Sequence, residues 1–200
     1  MHKQLPQFDF AANKPVLRSI LSRRDCRQWL PQEVNPEDIR QILYAATWAP
    51  NHKMTEPWKF NVILPAARSK FLSILAQGLI QTAANDNQKE DLIKKATQLT
   101  TEFSQVPAFI AIACIRDSDP VIERENLLTV GCACQNFLLA AEELGLSAHW
   151  GSGLASKTPA LLEWLGWDNQ CIPVGLFQVG YASTKPQTRR SPLEDFVRWH

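Results

Sequence analysis

The sequence predicts an α+β fold, with a central sheet of four or five strands flanked by helices. Three observations carry that expectation. Helix-period and strand-like stretches alternate loosely along the 200 residues. The run from Ala108 to Ile115 is almost wholly apolar, as a buried strand is. Finally, no Gly-x-Gly-x-x-Gly follows a strand and no Walker loop is present, so a Rossmann or P-loop nucleotide site is excluded as the primary reading.

The elements follow in order. Residues 1–14 are polar, carry Pro6 and Asn13, and read as a flexible N-terminal arm before a single domain over 15–200. Pro15 opens a short helix to Ser22, with Val16, Leu17, Ile20 and Leu21 on one side. Asn35-Pro36-Glu37-Asp38 starts a second helix: an N-cap Asn, Pro at the first position and acids in the first turn. Its amphipathic face is Ile39, Ile42, Leu43 and Ala46, and it runs to Trp48. Pro50 and Pro57 then bracket a polar loop holding Asn51, His52, Lys53 and Glu56, which their fixed φ should keep stiffly extended. Trp58 to Leu64 suits a strand entering a core.

Residues 66–82 read as a helix with Phe71, Leu72, Leu75 and Leu79 inward. Asn85-Asp86-Asn87 breaks it, and 88–103 reads as a charged, exposed helix. After the strand at 108–115 comes the longest helix, 122–145, ended by Gly145. From Leu127 to Ala141 its polar side chains are Thr129, Gln135 and Asn136 alone. A helix apolar nearly all round is buried on every side, and a chain this short has limited matter to bury it. That predicts an obligate homodimer packed across this helix; the alternative is a large intramolecular core. Ser147 to Trp150 reads as a short strand, Thr158-Pro159 opens a helix stopped by Gly166, and Ile172 to Tyr181 is the last strand, before a basic, Pro-rich tail.

Composition bounds the chemistry. With 45% hydrophobic and 20% charged residues and a net charge of +1, the chain is globular and has no global field for nucleic acid or membrane. Any anion site must be a local cluster. The five cysteines are an odd number without metal-ligand spacing, and read as reduced, mostly buried thiols of a cytoplasmic protein. No apolar secretory segment is visible at Met1 to Pro6, and no uncharged stretch reaches membrane-spanning length.

Two basic clusters stand out. Arg23, Arg24 and Arg27 lie within five residues beside a helix end, either as a solvated turn or as a phosphate clamp. Arg189 and Arg190 lie in the tail. Brought together by the fold or its dimer, they would make a compact site for a doubly charged monophosphate. Gly151-Ser152-Gly153 is a plain turn or a place where backbone N–H groups approach a ligand closely. There is no Ser–His–acid order, paired carboxylate or metal cluster, and His52 and His149 are the two non-terminal histidines.

Several motifs, in this order, resemble the FMN-dependent nitroreductase superfamily in its short NAD(P)H nitroreductase branch. They are Arg23-Arg24-Asp25-Cys26-Arg27, with Asp25 where the family usually has Ser, then Ala49-Pro50-Asn51-His52-Lys53 resuming as Pro57-Trp58-Lys59-Phe60, then Gly180-Tyr181, and Arg189-Arg190-Ser191-Pro192-Leu193-Glu194. The likeness spans about Val16 to Val197. It implies a mostly antiparallel sheet, a homodimer with flavin at the subunit interface, FMN as cofactor, and NADH or NADPH as co-substrate. It implies ping-pong hydride transfer through flavin N5 to an electron-poor acceptor such as a nitroaromatic or quinone, with no obligatory side-chain acid.

By the same resemblance Arg23, Arg27 and Arg190, with Arg189, hold the phosphate, and Arg24 offers its side chain or its backbone. Asp25 would orient Arg23 or Arg27, or else repel the phosphate. His52 would reach the cofactor of the neighbouring subunit, Trp48 stands at a cofactor-contacting position, and Trp150, Gly151 and Ser152 would lie along the isoalloxazine.

Overall fold

The structure, a computed structural model, describes residues 14–167 and 169–200. The predicted arm therefore lies outside the described residues except for Lys14. Four strands, β1 (Trp58–Ile63), β2 (Ala108–Ile115), β3 (Ser147–Gly151) and β4 (Cys171–Gly180), form one antiparallel sheet in the order β1-β2-β4-β3.

Strand β2 explains the layering. Ala108, Ile110, Ile112 and Cys114 enter one core, while Phe109, Ala111 and Ala113 enter another on the opposite face. Its apolar run is unbroken because both faces are covered. On the first face lie α1 (Pro15–Ser22), α2 (Pro36–Ala46) and α5 (Pro120–Glu143), where Ile39, Ile42, Val130 and Phe137 pack with Phe177. On the second lie α3 (Pro65–Gln81), α4 (Asp86–Phe103) and α6 (Pro159–Trp164), where Phe71 meets Phe109 at a centroid distance of 4.9 Å.

Local signals behave as the sequence predicts. The Asn35 side chain accepts from Glu37 N at the start of α2, and Thr158 accepts from Leu161 N at the start of α6. Asn85 caps α4 by accepting from Gln88 N, so that helix begins at Asp86, inside the predicted break. It is also less exposed than expected, since Leu92 and Ala96 are buried against α3. Helix α2 stops at Ala46, two residues short of the predicted exit at Trp48.

Helix α5 is only partly covered by its own chain, so the large intramolecular core weighed as the alternative does not account for it. Within the chain it is not covered all round: Val130, Ala133, Cys134, Phe137, Leu138 and Ala141 are buried, but Leu128 is 66% exposed and Cys132 is exposed. Its neighbour α1 buries none of its residues, and Val16 and Ile20 remain open to solvent. Among the described residues no helix is long and apolar enough to cross a membrane.

Two packing constraints are testable. A Cβ on Gly78 would lie 2.4 Å from Thr158 Oγ1 and 3.0 Å from its Cβ, where α3 meets α6. Thr158 caps α6 and is buried, so it has little room to yield. Gly78→Ala is expected to destabilise by about 1–3 kcal/mol in chemical denaturation, and an unchanged midpoint would contradict the contact. Burial pushes the Cys134 thiol up to about 12 and, with Glu123 adding to it, the Cys114 thiol up to about 11. Both should resist thiol reagents at pH 8 in the folded protein and react on unfolding, as labelling followed by mass spectrometry would register.

Candidate functional site

The outer edge of β3 is where the basic segment docks. Arg23 to Arg27 leaves α1 and runs beside the strand, with Asp25 bridging Ala148 in parallel and Trp29 bridging Ala182 beyond the end of β4. The segment is pinned near the C-terminal end of α5, where Ser22 Oγ donates to Glu142 Oε1 at 2.9 Å. Lys185 Nζ donates to the same oxygen at 2.7 Å. Ser183 N donates to Gln28 O, and Thr184 Oγ1 to Gln28 Oε1. One nearly buried carboxylate, Glu142, thus gathers the N-terminal basic segment and the start of the C-terminal tail.

The candidate arginines differ in what they do. The Arg24 guanidinium turns back to donate to Leu21 O (2.6 Å) and Arg23 O (2.9 Å), where it caps the last turn of α1. Its side chain is thereby engaged within the chain. Arg27 Nε lies 3.6 Å from Asp25 Oδ2. The other oxygen, Asp25 Oδ1, lies 2.7 Å from His149 Nδ1. Arg190 donates to Thr188 Oγ1 and Arg189 O on an exposed stretch of the tail. Within one chain, Arg27 lines the cavity described next, and Arg23, Arg24, Arg189 and Arg190 do not.

A cavity of about 680 Å³ opens on the second face of the sheet, beside β3. Its floor is the register pair His149 and Gln178 with the pair Gly151 and Leu176. Its walls are Trp29 of the docked segment, Leu99 and Phe103 of α4, and Ser156 in the turn after β3. Trp29 Nε1 donates to Gln178 Oε1 at 3.3 Å, which fixes the indole against the sheet.

Trp150 points the other way. Its indole stacks on Phe177 at 5.2 Å, and its Nε1 donates to Val174 O at 3.2 Å. That seat exists because β4 bulges opposite Ile112 and Ala113, and because residue 175 is glycine: a Cβ there would lie 2.3 Å from Trp150 Nε1. Strand alternation therefore gives the cavity Gly151, with Gly153 after it, and keeps the Trp150 indole out; neither Trp150 nor Ser152 lines it.

The loop at 49–57 is not extended. Asn51 Oδ1 accepts from Glu56 N at 3.3 Å and lies 3.1 Å from Thr55 Oγ1, which curls the chain into a short 3₁₀ turn over His52–Met54. Lys53, Met54 and Glu56 take positive φ of 53°, 54° and 45°. The prolines set the ends of the loop, but Asn51 sets its path. His52 Nε2 lies 3.4 Å from Glu125 Oε2, and Thr55 Oγ1 donates to Asn126 Oδ1 at 2.7 Å, so the loop sits on the N-terminal half of α5. Trp48 is 72% exposed and meets Tyr44 edge-on.

Glu125 and Glu142 are therefore the two anchors, at opposite ends of one helix. At 1.5 Å per residue their backbones stand about 25 Å apart along α5. The structure brings Asp25, Arg27, Gly151 and His149 together; it does not bring His52 or Trp48 to them within one chain.

Sequence reasoning missed His149, Gln178, Leu99 and Phe103 as lining residues. The i, i+4 spacing of Leu99 and Phe103 marked an inward stripe on α4, and the period-two alternation of β3 puts His149 on the face shared with Gly151. The cavity's volume is in the range of small-molecule sites, and its cation, backbone edge and aromatic walls suit a flat, anionic cofactor. Among the described residues no group of three or more His, Cys, Asp and Glu could hold a metal ion.

Comparison with known proteins agrees with this architecture. The Bacillus cereus structure described as a nitroreductase-like family protein superposes with a TM-score of 0.83 at 26% identity, over 92% of this chain and 95% of that one. A provisionally named nitroreductase of Desulfovibrio desulfuricans, solved in complex with FMN, gives a TM-score of 0.70 at 25% identity over 93% and 96%. The Escherichia coli K12 protein YdjA, provisionally named an NAD(P)H nitroreductase, is 28% identical over 173 residues, 86% of this chain and 91% of its own. The Nitroreductase family model matches residues 20–181, most of the described fold and both edges of the cavity, and the chain belongs to the Nitroreductase family.

Proposed function

We propose that the chain is an FMN-dependent NAD(P)H oxidoreductase that works as a cytoplasmic homodimer and reduces an electron-poor acceptor such as a nitroaromatic or quinone. The observation that carries this reading is the cavity itself: Arg27 at one wall and Gly151 on the floor, in the two segments that the resemblance assigns to the cofactor. The FMN named for the Desulfovibrio relative supports the choice of cofactor, and the name of the YdjA relative supports the nicotinamide donor.

The chain's residues divide the work. Arg23 and Arg27, with Arg189 and Arg190 of the tail, hold the phosphate through planar, charge-assisted donors. The backbone at Trp150, Gly151 and Ser152 faces the polar edge of the ring system, and at Gly151, where a Cβ would crowd Leu176 O at 3.2 Å, glycine is the residue that fits. Leu99 and Phe103 exclude water from one side. When bound, FMN supplies the hydride relay between the nicotinamide and the acceptor.

His52 and Trp48 complete the site from the second subunit. The apolar, exposed residues of α1, α2 and α5, among them Ile20, Tyr44 and Leu128, form the surface that a second copy covers. The left-handed residues of the His52 loop support a functional role for it, since such backbone is retained where its geometry is used. The five free cysteines suit a reducing compartment.

Purified protein is expected to be yellow, to release FMN on denaturation, and to oxidise NADH or NADPH when a nitroaromatic or quinone is supplied. A colourless protein that takes up no added FMN would overturn the reading. Leu128→Glu places a charge on the exposed side of α5 without touching the cavity. It is expected to yield monomer in light scattering and to lower flavin occupancy at micromolar protein to below about a tenth of wild type. A dimer of undiminished stability would refute this interface.

A further inference from the structure

The segment that docks on β3 contains an acid where the resemblance has a hydroxyl, and that acid has a dedicated partner. Asp25 stands among Arg23, Arg24 and Arg27, in the part of the chain assigned to an anionic group. A bare carboxylate there would oppose the anion by Coulomb repulsion. The structure instead gives each of its oxygens a cation or donor: Oδ2 faces Arg27 Nε at 3.6 Å, and Oδ1 meets His149 Nδ1 at 2.7 Å.

His149 is built to keep that contact. It sits on β3 directly opposite Gln178 of β4, inside a continuous sheet, and is 8% exposed. Asp25 by contrast lies in a docked segment held to β3 by an isolated bridge at Ala148, and its side chain is half exposed. Arg27 is more exposed still. Order therefore passes outward, from the strand through the imidazole to the carboxylate and on to the guanidinium. Nδ1–H donated to Asp25 also fixes the ring orientation and leaves Nε2 toward Gly151, 3.6 Å from where a Cβ on that residue would lie.

We propose that His149 is the positioning residue of the anion site: by donating to Asp25 Oδ1 it fixes the carboxylate, which in turn holds Arg27 where it meets a phosphate. This deepens the flavin reading and rests on it. The substrate class is a phosphomonoester-bearing cofactor, and the sensitivity is to its phosphate alone. A residue that only supported the fold would affect phosphorylated and unphosphorylated ligands alike. Because it acts through Asp25, His149 becomes dispensable once Asp25 is replaced by the uncharged hydroxyl of the resemblance.

The test compares FMN with riboflavin on the full chain freed of flavin, by quenching of flavin fluorescence, for wild type, His149→Phe, His149→Gln, Asp25→Ser and the double variant Asp25→Ser/His149→Phe. Thermal melts verify that each variant is folded, and His149→Gln serves if the Phe variant does not fold. The ratio of FMN to riboflavin affinity is expected to fall at least about tenfold in the single His149 variants, the scale of losing one charge-assisted contact. Restoration of that ratio to within about threefold of wild type in the double variant supports the proposal. An unchanged ratio in folded His149 variants, or no restoration in the double variant, overturns it while leaving the flavin reading intact. Failure of the wild-type chain to bind either flavin overturns the flavin reading and this proposal together.

Discussion

Everything in this fold depends on one strand being buried on both faces. Strand β2 presents Ile110 and Ile112 to one layer of helices and Phe109 and Ala111 to the other. It can do so only in the interior of the sheet, with antiparallel partners β1 and β4 satisfying its backbone on both sides. That leaves β3 at an edge, its outer backbone groups free to receive a further segment. The segment that arrives is the basic one around Asp25. The core thus decides where a charged, exposed piece of chain comes to rest, and with it the wall of the cavity.

Electrostatics then sharpen what packing begins. Glu142, nearly buried, accepts from Ser22 and from Lys185, which lie 163 positions apart in the sequence. Asp25 takes Arg27 and His149 on its two oxygens. Surface ion pairs contribute little to stability on average, so the exposed Asp25–Arg27 contact is better understood as geometry than as energy. The contact to the buried imidazole is the firmer half, because the sheet already holds that ring in place.

The layers, the strand limits to within a residue, and the starts of α1, α2 and α6 were legible in the sequence because they follow from periodicity and capping chemistry; α4 and α5 begin two residues before the expected starts. Strand β2 coincides with its apolar run, and Asn35 and Thr158 cap where their side chains predict. The site was legible only in its motifs. Two local expectations failed for identifiable reasons. The loop at 49–57 curls because the Asn51 amide competes successfully with the extended preference set by two prolines, and side-chain acceptance of this kind leaves no periodic trace. Trp150 faces away from the cavity because a bulge in β4 and the absence of a side chain at Gly175 open a seat for it on the other side. His149 stood out only as a non-terminal histidine and had no assigned role, since its partner Asp25 is 124 residues away.

Helix α5 has a final consequence. A rigid rod of 24 residues keeps the two halves of the proposed site apart in any one subunit, so neither half can close on a ligand by bending. If the halves meet only between subunits, association and cofactor capture form a single linked equilibrium. Diluting such a protein would shed its flavin, and saturating it with flavin would hold the pair together at concentrations where the empty subunits part.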